Sequence, residues 1–135
     1  MNLNKYNLKT RCRAIFVISL GIINNDVIDL DESFFTNLHE FARLKINEDK
    51  NKYLPIFSLI LPFISSGFKK SFYESEKTIS DLYNIVDEIS SIDRYYKLLD
   101  TVDRPLIDII SNIAIEYNEY LESFDYNYTP SLFRQ

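Results

Sequence analysis

Apolar positions recur every three or four residues in several segments of this chain, the spacing of one helix face. The clearest is the last, where Leu106, Ile109, Ile110, Ile113, Tyr117, Tyr120, Leu121 and Phe124 predict a helix from Asp103-Arg104-Pro105 to about Phe124. Asp103 is its expected cap and Pro105 sits in the first turn, where a missing amide costs least. Glu116, Glu119 and Glu122 lie beside that stripe and should face water.

Residues 5 to 23 predict a first helix with a basic start and an apolar end at Ile15, Phe16, Ile18, Leu20, Ile22 and Ile23, an end expected in the middle of the domain. After a loop from Asn24 to Leu30, Asp31 or Ser33 can cap a second helix, about 32 to 47, with Phe34, Phe35, Leu38, Phe41, Ala42 and Ile46 as its buried stripe. Glu48 to Lys52 is a polar connection. Leu54 to Ser66 then predicts a helix with Pro55 in its first turn, a kink or break near Pro62, and Gly67 closing it or marking the bend. Ser71-Phe72-Tyr73-Glu74 has capping-box spacing, so a helix is expected from there to about Ser90. Its stripe is Ile79, Leu82, Tyr83, Val86 and Ile89, with Asp81, Asn84, Asp87 and Glu88 opposite. A shorter helix, about 92 to 101, carries Ile92, Tyr95, Tyr96, Leu98 and Leu99, followed by Val102. The tail, Tyr126 to Gln135, packs as an extended strap or frays.

These segments make an all-α fold, one domain over residues 1–135 built as a bundle of four to six helices. Only two glycines and no Asn-Gly or Asp-Gly step are available for hairpins, which argues against a β architecture. Hydrophobic residues at 46% and charged residues at 26% give enough apolar surface for a core and exclude general disorder. The single Cys12 rules out an internal disulfide and suits a reducing compartment, hence a cytoplasmic expectation. Ala14 to Ile23 follows a basic segment as in a signal peptide, yet Asn24-Asn25-Asp26 offers no small-residue cleavage site. The run from Leu54 to Phe68 holds two prolines and falls short of the roughly 20 residues that span a bilayer. No membrane partner is expected.

Charge changes the picture more. Between Glu74 and Asp125 stand thirteen acidic residues against four basic ones, a local balance of −9, while the whole chain carries −5. Tyrosines 83, 95, 96, 117, 120 and 126 thread that stretch. Carboxylates steer a basic partner, and tyrosine adds contact area with few rotors to freeze. The candidate partner-binding residues are Asp81, Asp87 and Glu88, then Asp93, Tyr95 and Tyr96, then Glu116, Glu119 and Tyr120. Excess negative charge disfavours nucleic acid. The basic arm, residues 1 to 13, either touches an acidic partner or docks against the chain's own acidic half.

Catalytic chemistry is poorly supplied. His39 is the only histidine and Cys12 the only thiol, so a zinc site has too few ligands, and nothing in the sequence requires the two to meet as a thiolate pair. Asp26, Asp29, Asp31 and Glu32 lack the glycine and spaced glutamate of a calcium loop, and read as capping and loop solvation. No glycine-rich phosphate loop is present. The expectation is a non-enzyme with no cofactor and no metal.

The acidic, tyrosine-bearing constellation resembles the small immunity proteins that bacteria pair with basic toxin domains in colicin and contact-dependent inhibition systems. The resemblance is one of type. Its nearest local echo is Ile92-Asp93-Arg94-Tyr95-Tyr96, since helical immunity proteins of nuclease colicins use an acidic segment followed by a tyrosine pair as a binding hot spot. Here the chain is longer, and Lys97 stands where those proteins have proline. What the resemblance implies is an inhibitor that binds a basic toxin domain, a nuclease or similar, and blocks its cleft. The alternative is a helical adaptor or regulatory protein, of viral or phage type, that holds a partner helix in an apolar groove. The many aromatics also leave a homodimer open.

Overall fold

A computed structural model describes residues 3–25, 28–61, 76–89 and 91–128, and of residues 4, 76–79 and 124–128 the backbone alone. Among them are six α-helices and no strand: α1 (Leu8–Asn24), α2 (Glu32–Glu48), α3 (Lys50–Ile60), α4 (Glu76–Glu88), α5 (Ile92–Leu99) and α6 (Arg104–Tyr128). A 3-10 turn, Leu3–Lys5, precedes α1. The all-α bundle expected from the apolar spacing is what the chain forms. The bend or closure at Gly67, the capping box at Ser71 to Glu74 and residues 129–135 of the tail lie outside the described residues.

Helix α1 is the hub. It packs against α3, α4, α5 and α6, while α2 packs against α3 and α6. The first helix starts at Leu8, later than its pattern suggests, because the Asn7 side chain caps it by accepting from the Thr10 amide. Its end is Asn25, in the left-handed region at φ 52°, a conformation asparagine tolerates better than most residues. The apolar end of α1 is buried in part: Ile15, Phe16 and Leu20 lie in the core and Ile18 packs against it, while Ile22 and Ile23 do not. Cys12, Ala14, Ile15 and Phe16 are at most 1% exposed, whereas Ile22 is 58% and Ile23 40% exposed. Burial follows where neighbouring helices cross α1, and they cover its middle, residues 12 to 20, better than either end.

In α2 the sequence pattern holds throughout. Asp31 caps the helix by accepting from the Phe34 amide, Phe34 through Ala42 of the predicted stripe are buried, and Ile46 packs against them half-buried. The connection after it is shorter than expected. Asp49 alone separates α2 from α3, and its carboxylate caps α3 through the Lys52 amide. Pro55 therefore lies in the second turn. The amide it lacks would have met Asn51, an exposed residue whose carbonyl water can serve. The helix ends at Ile60 because Leu61 precedes a proline and adopts extended backbone, φ −98° and ψ 130°.

The core centres on Tyr117 of α6, which is fully buried. Its ring lies 5.9 Å from Phe16, 6.0 Å from Phe34, 5.2 Å from Phe41 and 6.2 Å from Tyr120, and its hydroxyl donates to the Phe34 carbonyl at 3.1 Å. Two predicted stripes are rotated. In α4, Leu82, Ile85 and Ile89 are buried while Tyr83 is 41% exposed; in α6, Ile107 is buried and Ile109 is 39% exposed. Helix α6 also continues through Tyr128, so residues 126–128 are helical and no strap begins there.

Candidate functional site

The candidate residues divide between α6 and the consecutive helices α4 and α5. On α6, Glu116 is tied to Lys45 at 2.7 Å, and that ammonium also lies 3.5 Å from Glu48 and over the rings of Phe41 and Tyr53. Glu116 is therefore not a free solvent-facing carboxylate; it joins α6 to α2 and α3. Tyr120 is half-buried and stacks on Tyr117 at 18° between planes. Glu119 is exposed on α6.

The other candidates lie on α4 and α5. Ser91 caps α5 by accepting from the Arg94 amide, and the Arg94 guanidinium donates to the Glu88 carbonyl at 3.1 Å, fixing the two helix ends together. On these two helices Asp87, Asp93 and Tyr96 are exposed and Asp81 is half-buried. Tyr96 is 58% exposed and Ile92, one turn before it, 57%.

Two candidates on these helices serve the fold. Tyr95 is half-buried with its hydroxyl 3.1 Å from that of Ser19 in α1, and burial pushes its phenol above the ordinary value. Glu88 accepts from Lys5 at 2.8 Å and from the Tyr6 hydroxyl at 3.1 Å. These hydrogen bonds, Lys5 first, hold its carboxyl below the usual range and raise the Lys5 ammonium. Arg11 donates to the Thr101 carbonyl at 2.9 Å. The basic arm thus docks on the chain's own acidic half.

Between α1 and α4 runs an open apolar groove of about 710 Å³. Its floor is Val17, Ile18, Gly21 and Ile22, its opposite wall Tyr83, Val86, Asp87 and Ile89, and its end Asn25, Ile28 and Leu30. The Tyr83 hydroxyl accepts from the Leu30 amide at 2.9 Å, which holds the loop after α1 against α4. Helix α5 flanks the same stretch of α1. Tyr95 meets Ser19, and Thr101, just past the end of α5, meets Arg11, so α5 runs antiparallel to α1. Sequence reasoning missed the groove residues on α1. The signal available was Gly21, an unneeded glycine within a long apolar run.

Reactive groups are placed away from this surface. Cys12 is fully buried, which pushes its thiol up and lowers its reactivity. His39 is half-buried on α2, and burial, then Arg43, push its pKa down. Asp31 of the acidic loop is a helix cap, and Asp26 lies outside the described residues. Among the described residues no cluster of His, Cys, Asp or Glu could hold a metal ion, and no helix is long and apolar enough to cross a membrane. Comparisons of the chain with protein-family models, with curated proteins and with solved structures return no significant match.

Proposed function

We propose that the protein is a non-enzymatic inhibitor of the immunity type, which neutralises a basic toxin domain by docking the α4–α5 face against or beside its substrate cleft. The observation that carries this reading is Tyr96, a large aromatic left more than half exposed beside Asp93, with Asp87 exposed on the adjoining helix. A solvated tyrosine among unpaired carboxylates is the composition of a hot spot with a steering rim. In this reading Tyr96 governs dissociation, and Asp87 and Asp93 govern association.

The test begins with capture from the native source at low and high salt, followed by binding kinetics on the recovered basic domain. Tyr96→Ala should raise the dissociation rate about tenfold or more, and salt should slow association. A basic partner released no faster by the folded variant would overturn the reading. A second reading, a helical adaptor, is favoured by the α1–α4 groove, since it supplies the open apolar channel that a partner helix needs.

A further inference from the structure

We infer that the α1–α4 groove is a docking site for an amphipathic, cationic helix of the partner, its apolar side chains on the Gly21 floor and a Lys or Arg against Asp87. This rests on the protein being a partner-binding one, in the helix-in-groove form of the second reading, and it names what enters.

The floor gives the first argument. Gly21 lies inside α1 with no positive φ, so the backbone does not require glycine there, and glycine in a helix interior costs about 0.5–1 kcal/mol relative to alanine. Residue 21 lines the groove with backbone alone, so a side chain introduced there is expected to take up space in it. The missing Cβ keeps the channel open at a cost in helix stability. Ile22, on the same floor, remains 58% exposed, a large aliphatic surface that the fold itself leaves in water.

Charge gives the second. Asp87 stands at the groove wall, exposed and without an ion pair among the described residues, and no Lys, Arg or His lines the channel. Its neighbour Glu88 is already taken by Lys5. An occupant that is apolar along one face and basic along its edge complements both features, whereas an acidic one would meet Asp87 unpaired. The secondary structure of the occupant follows from the walls. They are helices, and the Leu30 amide at the end of the groove is already bonded to Tyr83, so this end offers no free edge for an added strand.

The experiment uses a fluorescein-labelled Leu/Lys model helix of about 14 residues, four turns, and its Leu/Glu counterpart, with anisotropy as the readout. The wild-type protein should bind the Lys probe and reject the Glu probe. Gly21→Leu fills the floor with a better helix former and should weaken binding about tenfold or more while leaving thermal stability equal or higher. Asp87→Asn should weaken binding about two- to fivefold and reduce its salt dependence. Equal binding by Gly21→Leu, or equal binding of both probes, overturns the inference. So does a wild-type dimer in sedimentation velocity that Gly21→Leu dissociates, because the occupant is then a second copy. Tyr96→Ala separates the two levels: if it alone releases the captured toxin domain while Gly21→Leu does not, the binding face stands and the groove does not.

Discussion

Replacing Tyr117 tests the core in two graded steps. Tyr117→Phe removes only the hydroxyl that donates to the Phe34 carbonyl at 3.1 Å. A buried acceptor left orphaned would cost about 1–3 kcal/mol, but Phe34 lies inside α2, where its carbonyl keeps a helical donor, so the loss should be nearer 1 kcal/mol. For a domain of this size that is about 4 °C in Tm. Tyr117→Ala also removes the ring from its packing against Phe16, Phe34, Phe41 and Tyr120, and should cost about 3–5 kcal/mol. Urea denaturation followed by far-UV circular dichroism measures both, with unchanged m values as the sign that the effect is on stability alone. The pH dependence gives an independent check. Burial raises the Tyr117 phenol well above 10.0, so above that pH the unfolded chain loses a proton that the folded chain keeps. Wild-type stability should therefore fall relative to Tyr117→Phe as pH rises past 10.0. A Tyr117→Ala variant within about 1 kcal/mol of wild type, or parallel pH curves for wild type and Tyr117→Phe, would mean that Tyr117 does not anchor the core.

Further outcomes are expected in the same assays. Asp49→Ala removes the carboxylate that caps α3 and should cost about 1 kcal/mol, while an unchanged midpoint would show that the cap is not used. Gly21→Ala should raise stability by about 0.5–1 kcal/mol, since the site has helical backbone; a loss would mean the position cannot accept a Cβ. Glu88 has a depressed folded pKa, so the stability it confers is present above its unfolded value near 4.5 and is lost as pH falls through the folded one. Glu88→Gln should flatten that acid limb at low salt, and a limb identical to wild type would remove the Lys5 contact from the account. Tyr95→Ala should destabilise the fold, whereas Tyr96→Ala should shift the midpoint little; the reverse order would exchange their roles.

Local signals carried most of the helices. Asp31 and the Phe34 to Ala42 stripe identify α2 because cap and periodicity lie within one segment. The start of α3 was hidden because Asp49 reads as part of a charged connector, although it is the residue that caps the helix. The rotated stripes of α4 and α6 show a limit of periodicity, which finds an apolar face but not which flank of it meets a neighbour: Tyr83 and Ile109 turn outward, Ile85 and Ile107 inward. At the candidate site the long-range pairs were illegible. Lys5 and Glu88 are 83 residues apart and Lys45 and Glu116 are 71 apart, so no local pattern marks those carboxylates as engaged. The groove was equally hidden, since its floor and wall come from α1 and α4, brought together only by the fold.

Binding of a basic protein domain by the α4–α5 face is proposed from Tyr96 and the carboxylates near it. Its most direct measurement is the capture of that domain from the native source by the wild-type chain and by the Tyr96→Ala variant in parallel, with dissociation rates then measured on the purified pair. The expected result is a basic toxin domain held by the wild type, associating more slowly as salt rises and leaving Tyr96→Ala about tenfold faster or more. A basic domain that both proteins hold equally, or retention of nothing basic, would contradict it.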